Sequence, residues 1–118
     1  MSPDAAVVAD FIARRERARA AATHARCAEL LASLPALVSL LSSRGVTRVW
    51  LFGSLAWGDA HEASDIDLAV EGLDADAELA ALGELLGRAK APVDLVRLED
   101  APAALAERIR REGRRLDG

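Results

Sequence analysis

Tyrosine is absent from this chain, and phenylalanine and tryptophan together supply only 3% of it. A core built from these residues must therefore be aliphatic and small, with alanine carrying much of the 52% hydrophobic content. A single cysteine, Cys27, excludes an internal disulfide and fits a reducing compartment. His24 lies three residues before it on one helical face, but two potential ligands fall short of a zinc site. Cys27 thus reads as a packing residue and His24 as a solvated residue or a local hydrogen-bonder. No apolar run near 18–20 residues and no signal-peptide pattern stand out, so the expectation is a soluble, cytoplasmic protein with no membrane partner. Lysine is nearly missing: of 15 basic residues only Lys90 is lysine. Arginine suits phosphate and carboxylate contacts, although composition bias alone also accounts for it. The net charge of −4 argues against bulk electrostatic capture of nucleic acid, and no direct nucleic-acid binding is expected.

What is present is enough for one domain: 118 residues, without repeat, linker or low-complexity tract. Ser2-Pro3-Asp4 is a helix start, with a capping hydroxyl, proline at the first helical position and an acid in the first turn. Val7, Val8, Phe11 and Ile12 form an apolar stripe, an Ala/Arg/Glu stretch follows, and Leu30, Leu31 and Leu34 widen the stripe again. Pro35 is expected to end or kink this helix. A helix of some 30 residues is about 45 Å long, more than so small a domain covers, so part of it projects or packs on another chain. The chain divides on this reading into a helical arm, 1–34, and a domain, 35–118. Within the domain, Pro35 to Ser43 is a short buried helix, with Gly45 as its left-handed terminator. Arg48 to Phe52, Ile66 to Glu71 and Val93 to Arg97 are strands. Asp76 to Ala89 is a helix with Leu79, Leu82, Leu85 and Leu86 on one face. A last helix opens at Ala101-Pro102 and runs to about Arg111, and the tail from Arg114 adds a short edge strand or frays. The fold class is α+β, a small mixed sheet of three to four strands flanked by helices.

The chemistry concentrates in two stretches. Leu51-Phe52-Gly53-Ser54 is a strand that stops at a Gly-Ser turn, and Ser64-Asp65-Ile66-Asp67 opens the next strand with two carboxylates two residues apart. Strand residues alternate faces, so Asp65 and Asp67 point the same way. Paired carboxylates repel, and a divalent cation with a preference for oxygen, Mg²⁺ or Mn²⁺, resolves that repulsion. The Gly-Ser turn offers backbone N–H groups and a hydroxyl to phosphate. Asp94 begins the third strand. With strands two and three parallel across a right-handed crossover, and strand one antiparallel to strand two, one sheet edge collects Gly53, Ser54, Asp65, Asp67 and Asp94. That departs from the rule placing ligands at the carboxyl ends of parallel strands, but no other arrangement unites these groups. His61, Glu62, Arg97 and the cluster Arg108, Arg110, Arg111, Arg114 and Arg115 read most simply as solvated. A phosphate or RNA contact is the sharper reading of the arginines.

Gly53-Ser54, ten intervening residues, then Asp65-Ile66-Asp67 resembles the GS-x(10)-DxD signature of the DNA polymerase beta-like nucleotidyltransferases, and most closely the minimal nucleotidyltransferases. Leu51-Phe52 before the turn, Asp94 in a later hydrophobic strand, and Ala106 to Gly113 as a closing helix are similar to that family over roughly Leu37 to Gly113. The resemblance implies transfer of a nucleoside monophosphate from a triphosphate, ATP, with two metal ions. Asp65 and Asp67 would hold Mg²⁺, Mn²⁺ being an alternative. Asp94 would complete one metal site and help deprotonate the attacking hydroxyl. Gly53 and Ser54 would hold the triphosphate. Leu55 and Trp57 depart from the family's Gly-Ser-Arg-Ala-Arg-Gly, removing two cations. Trp57 is open to packing or to stacking on a base. Minimal members often act as antitoxins paired with a HEPN-domain toxin, some adding AMP to a toxin tyrosine. The resemblance therefore implies a HEPN-like partner or self-association through the N-terminal helix. Alternatives are a binding module that masks its partner without catalysis, and nucleotidyl transfer to a small molecule such as an aminoglycoside.

Overall fold

The computed structural model describes residues 3–58, 60–61 and 64–117. One helix, α1 (Pro3–Ser43), precedes everything else. It is followed by β1 (Arg48–Phe52), a one-turn α2 (Ser54–Trp57), β2 (Ile66–Glu71), α3 (Glu78–Arg88), β3 (Val93–Arg97), α4 (Ala103–Glu112) and β4 (Arg114–Arg115). Short 3-10 turns at Ala75–Ala77 and Leu98–Asp100 lead into α3 and toward α4.

The four strands form one mixed sheet in the order β3-β2-β1-β4. β1 runs antiparallel to β2 and to β4, and β2 runs parallel to β3. Alternation along the strands divides the core in two. Val49, Leu51, Ile66, Leu68, Val70 and Val93 face α1 and α3, meeting Leu30, Leu34, Leu37, Leu41 and Leu85. Trp50 and Ala69 face the other way, onto Leu98, Ala106 and Ile109. The sheet is thus the middle of three layers, with α4 on its second face. The aliphatic character demanded by the scarcity of aromatics is realised in the fully buried leucines, each of which contributes roughly 2 kcal/mol by its burial.

Pro35 does not end α1, the first of the two outcomes expected of it; it sits inside one continuous element. Proline costs a helix one N–H and crowds the preceding turn. Here Leu34 and Leu37 are buried on either side while Pro35 is exposed, so core packing carries the helix past it. The second correction concerns hydropathy: α1 contains an 18-residue window of mean hydropathy 1.4, long and apolar enough by those measures to cross a membrane. Leu30, Leu34, Leu37, Leu40 and Leu41 of this helix are core residues of the domain, and a core helix has the same composition. The N-terminal part does project: Val7 is 68% exposed and Phe11 63%, and the molecule measures 65 × 30 × 23 Å. Ser2, the expected cap, lies outside the described residues.

Two more expectations are revised. Leu79 and Leu86 of α3 face solvent, while Leu85 is buried as expected, together with Ala81. Arg97 is not simply solvated: its Nε–H donates to the Leu73 carbonyl at 2.7 Å and its guanidinium pairs with Asp100. The tail does form an edge strand. Arg114 pairs with Leu51 and Arg115 with Trp50. Asp117 then accepts from the Val49 N–H at 2.9 Å and from Arg115 at 2.6–2.8 Å, which holds its carboxyl far below the usual range.

Candidate functional site

β1 ends where β2 begins, because the two are antiparallel, and the register sets Phe52 opposite Asp67. β2 and β3 start together, because they are parallel, and the register sets Asp67 beside Asp94. Asp65 precedes β2 by one residue and shares a face with Asp67. That face is the one bearing Ala69 and α4. The expected convergence at one rim is what the structure has: Gly53 and Ser54 arrive from β1, Asp65 and Asp67 from β2, and Asp94 from β3.

Gly53 shows how tightly the rim is drawn. Its φ is +75°, a conformation only glycine takes without strain. A Cβ there would run into Asp67 Oδ2 and stand 3.0 Å from its Cγ. The absence of a side chain is therefore what lets the turn close over the carboxylate. The Gly53 carbonyl accepts from the Ala56 and Trp57 N–H groups at 3.1 and 3.0 Å, fixing the turn. Ser54 Oγ donates to Ser64 Oγ at 3.1 Å, and Ser64, nearly fully buried, accepts from the His61 N–H at 2.8 Å. One hydroxyl bond thus ties the turn to the loop that delivers Asp65. Of the remaining candidates in that loop, Glu62 lies outside the described residues.

The three carboxylates differ in environment. Asp67 is half-buried, and desolvation, the Asp94 charge and hydrogen bond, and the Asp65 charge push its pKa up from 3.8 to about 6. Asp65 and Asp94 are exposed. Protonated, Asp67 can donate a hydrogen bond to Asp94, which relieves part of the repulsion. Asp65 acts on Asp67 through charge and not through a hydrogen bond. Among the described residues no group of three or more His, Cys, Asp or Glu side chains is drawn close enough to form a ready-made metal cage. The donor set is nonetheless entirely hard oxygen, and its crowded anionic charge, which raises the Asp67 pKa, is what a divalent cation would neutralise. These residues fit Mg²⁺ or Mn²⁺. A groove of about 490 Å³ lies elsewhere, between α1 and β4, lined by Leu31, Leu34, Val38 and Leu116 with Arg114 and Arg115. It touches none of the carboxylates, which sit on an open rim.

Leu55 and Trp57 pack. Leu55 is buried. Trp57 stands 6.4 Å from Phe52, donates from Nε1 to the Glu112 carbonyl at 3.1 Å, and carries the Arg108 guanidinium 4.0 Å from its ring centroid. The link between Trp57 and α4 was not visible in the sequence, since 51 positions separate Trp57 from Arg108 and no periodicity connects them.

The polymerase beta nucleotidyltransferase family profile matches residues 36–117. The chain belongs to this family. No curated protein matches. Among solved structures, the chain is similar to one described as a minimal nucleotidyltransferase, with TM-score 0.65 and 32% identity over 74% of this chain and 92% of the other. It is also similar to a chain of a toxin–antitoxin crystal structure with AMP-PNP, with TM-score 0.60 and 31% identity over 67% and 68%. A third similarity is to a complex of tri-AMPylated Shewanella oneidensis HEPN toxin with MNT antitoxin, with TM-score 0.58 and 25% identity over 73% and 70%. The family's matched range begins after Pro35 and leaves the projecting part of α1 outside it.

Proposed function

We propose that this nucleotidyltransferase transfers AMP from ATP to a hydroxyl, a tyrosine being the leading acceptor, on a HEPN-like toxin, and so acts as its antitoxin in the cytoplasm. The observation that carries the reading is the parallel register of Asp67 with Asp94 beneath the Gly53 turn. It gathers acidic side chains from two strands beside a turn whose backbone is open to phosphate. Similarity to chains of toxin–antitoxin complexes supports the choice of partner.

In this reading Asp65 and Asp67 hold the Mg²⁺ ions and Asp94 completes one of the sites. When bound, two such ions supply charge neutralisation to the attacking and leaving oxygens of an in-line displacement. Gly53 presents backbone to the triphosphate where any side chain would intrude, and Ser54 adds a hydroxyl. Asp94 is exposed and takes the proton of the acceptor hydroxyl as its oxygen bonds to the α-phosphorus; the α–β bridging bond breaks and pyrophosphate leaves. The exposed stripe of Val7, Val8, Phe11 and Ile12 is the arm's contact with a partner or with a second copy.

A second reading has a specific observation behind it. Leu55 and Trp57 are committed to packing, so the turn itself carries no cation, and a partner masked by contact alone would suffice. Incubating the protein with Mg²⁺, ATP labelled at the α-phosphate and the HEPN-domain product of the neighbouring gene separates the two. Label on the partner that vanishes with Asp65→Ala supports the enzyme. A tight complex without label, unaffected by that substitution, supports the binding module.

A further inference from the structure

We infer that Arg108, seated on the Trp57 ring, supplies the cation that this rim offers to the β- and γ-phosphates of the nucleotide. The inference rests on the nucleotidyltransferase reading above and gives one arginine of the closing helix a specific partner.

Three independent features of the fold bring Arg108 there. The first is the face. Asp65 and Asp67 alternate with Ile66 and Leu68, and so share the sheet face of Ala69, the face on which Ala106 and Ile109 of α4 pack. The second is the end of that face. β4 enters the sheet with Arg114 opposite Leu51, so Glu112 and Gly113, just before it, lie toward the Phe52–Gly53 end of β1, the end at which the carboxylates gather. The Trp57 Nε1–H bond to the Glu112 carbonyl fixes that arrival at 3.1 Å. The third is the guanidinium itself. Its Cζ stands 4.0 Å from the Trp57 centroid and its Nε–H donates to Glu112 Oε2 at 2.8 Å. Ring and carboxylate together orient the plane, and the terminal amino groups have no acceptor among the described residues.

Charge makes the placement consequential. The rim carries three carboxylates, and the Gly53–Gly58 turn contributes no cation of its own. A nucleoside triphosphate brought there with its metals still needs charge at its distal end. All three α4 arginines have carboxylate partners: Arg108 pairs with Glu112 at 2.8 Å, Arg110 with Glu71 at 3.1 Å, and Arg111 lies 3.7 Å from both Glu107 and Glu112. Arg108 alone of these is stacked on Trp57, one helical turn beyond Gly53-Ser54. A planar fork with two free N–H edges is suited to phosphate oxygens. Trp57 becomes the platform that carries a cation in from α4.

The test is calorimetric titration of ATP and, separately, AMP in the presence of Mg²⁺ into wild type, Arg108→Gln and Arg108→Lys. A single charge-assisted phosphate contact corresponds to roughly tenfold or more in affinity. Arg108→Gln should weaken ATP by about that factor and leave AMP unchanged, because AMP lacks the distal phosphates. Arg108→Lys should fall between, keeping the charge and losing the fork. Equal losses for ATP and AMP would assign Arg108 a purely structural role and overturn the inference, as would an unchanged ATP affinity. Wild-type protein that binds neither nucleotide overturns the nucleotidyltransferase reading itself, so the two failures are told apart.

Discussion

Replacing Asp67 by asparagine should stabilise the metal-free protein near neutral pH, at the expense of the site. The carboxyl titrates at about 6 in the folded chain against 3.8 ordinarily, chiefly through desolvation, then through Asp94 and Asp65. Between those two values the native state binds more protons than the unfolded chain, so stability falls as pH rises through the window. The whole shift corresponds to about 3 kcal/mol. Asp67 is only half-buried, and solvent screening reduces that to roughly 1.5 kcal/mol. For a domain of this size the difference is about 5 °C in Tm. The amide of the Asp67→Asn variant can still donate to Asp94, as protonated Asp67 does, so no buried group is left without a partner. Thermal unfolding followed by circular dichroism in EDTA, from pH 4 to 7.5, gives the readout. The two proteins should melt together near pH 4 and diverge above it, the variant reaching its full advantage above pH 6. A variant less stable than wild type at pH 7.5, or an offset that does not grow with pH, would refute the reasoning.

Other outcomes follow from the same geometry. Gly53→Ala should lose about 3 kcal/mol in denaturant unfolding, from the positive φ and from the Cβ directed into Asp67. Asp117→Ala should cost about 1 kcal/mol in the same assay, since it frees the Val49 N–H and Arg115. The Asp117 carboxyl is held low, so its contribution is present above about pH 4 and is lost as pH falls below that, opposite in sign to Asp67. Val8→Asp with Phe11→Asp should leave the monomer's Tm within about 2 °C, because both are exposed. The same pair should abolish any complex built on the arm, read by analytical ultracentrifugation.

The rim was legible because the residues that make it obey local rules. Alternation places Asp65 with Asp67, a short crossover makes β2 and β3 parallel, and a Gly-Ser turn ends β1; each follows from neighbours in the chain. Gly45 takes the positive φ that a helix terminator needs, also as read. That α1 continues past Pro35 was not legible, because propensity weighs the lost N–H and knows nothing of Leu34 and Leu37 anchoring the helix on both sides of it. The exposure of Leu79 and Leu86 was missed for a related reason: helical spacing gives the apolar residues of α3, but the direction from which the sheet approaches decides which are covered. Trp57 with Arg108, and Asp117 with Val49, join residues 51 and 68 positions apart. Such contacts are set by how α4 and β4 return to β1, and no pattern within a window of sequence contains them.

The most direct measurement is a titration of Mn²⁺ in the presence of ATP, read by the electron paramagnetic resonance of the free ion. Wild type should take up Mn²⁺ with ATP, and Asp67→Asn combined with Asp94→Asn should reduce uptake to that of ATP alone. Uptake that is the same in both proteins would contradict the assignment of these carboxylates to metal and nucleotide.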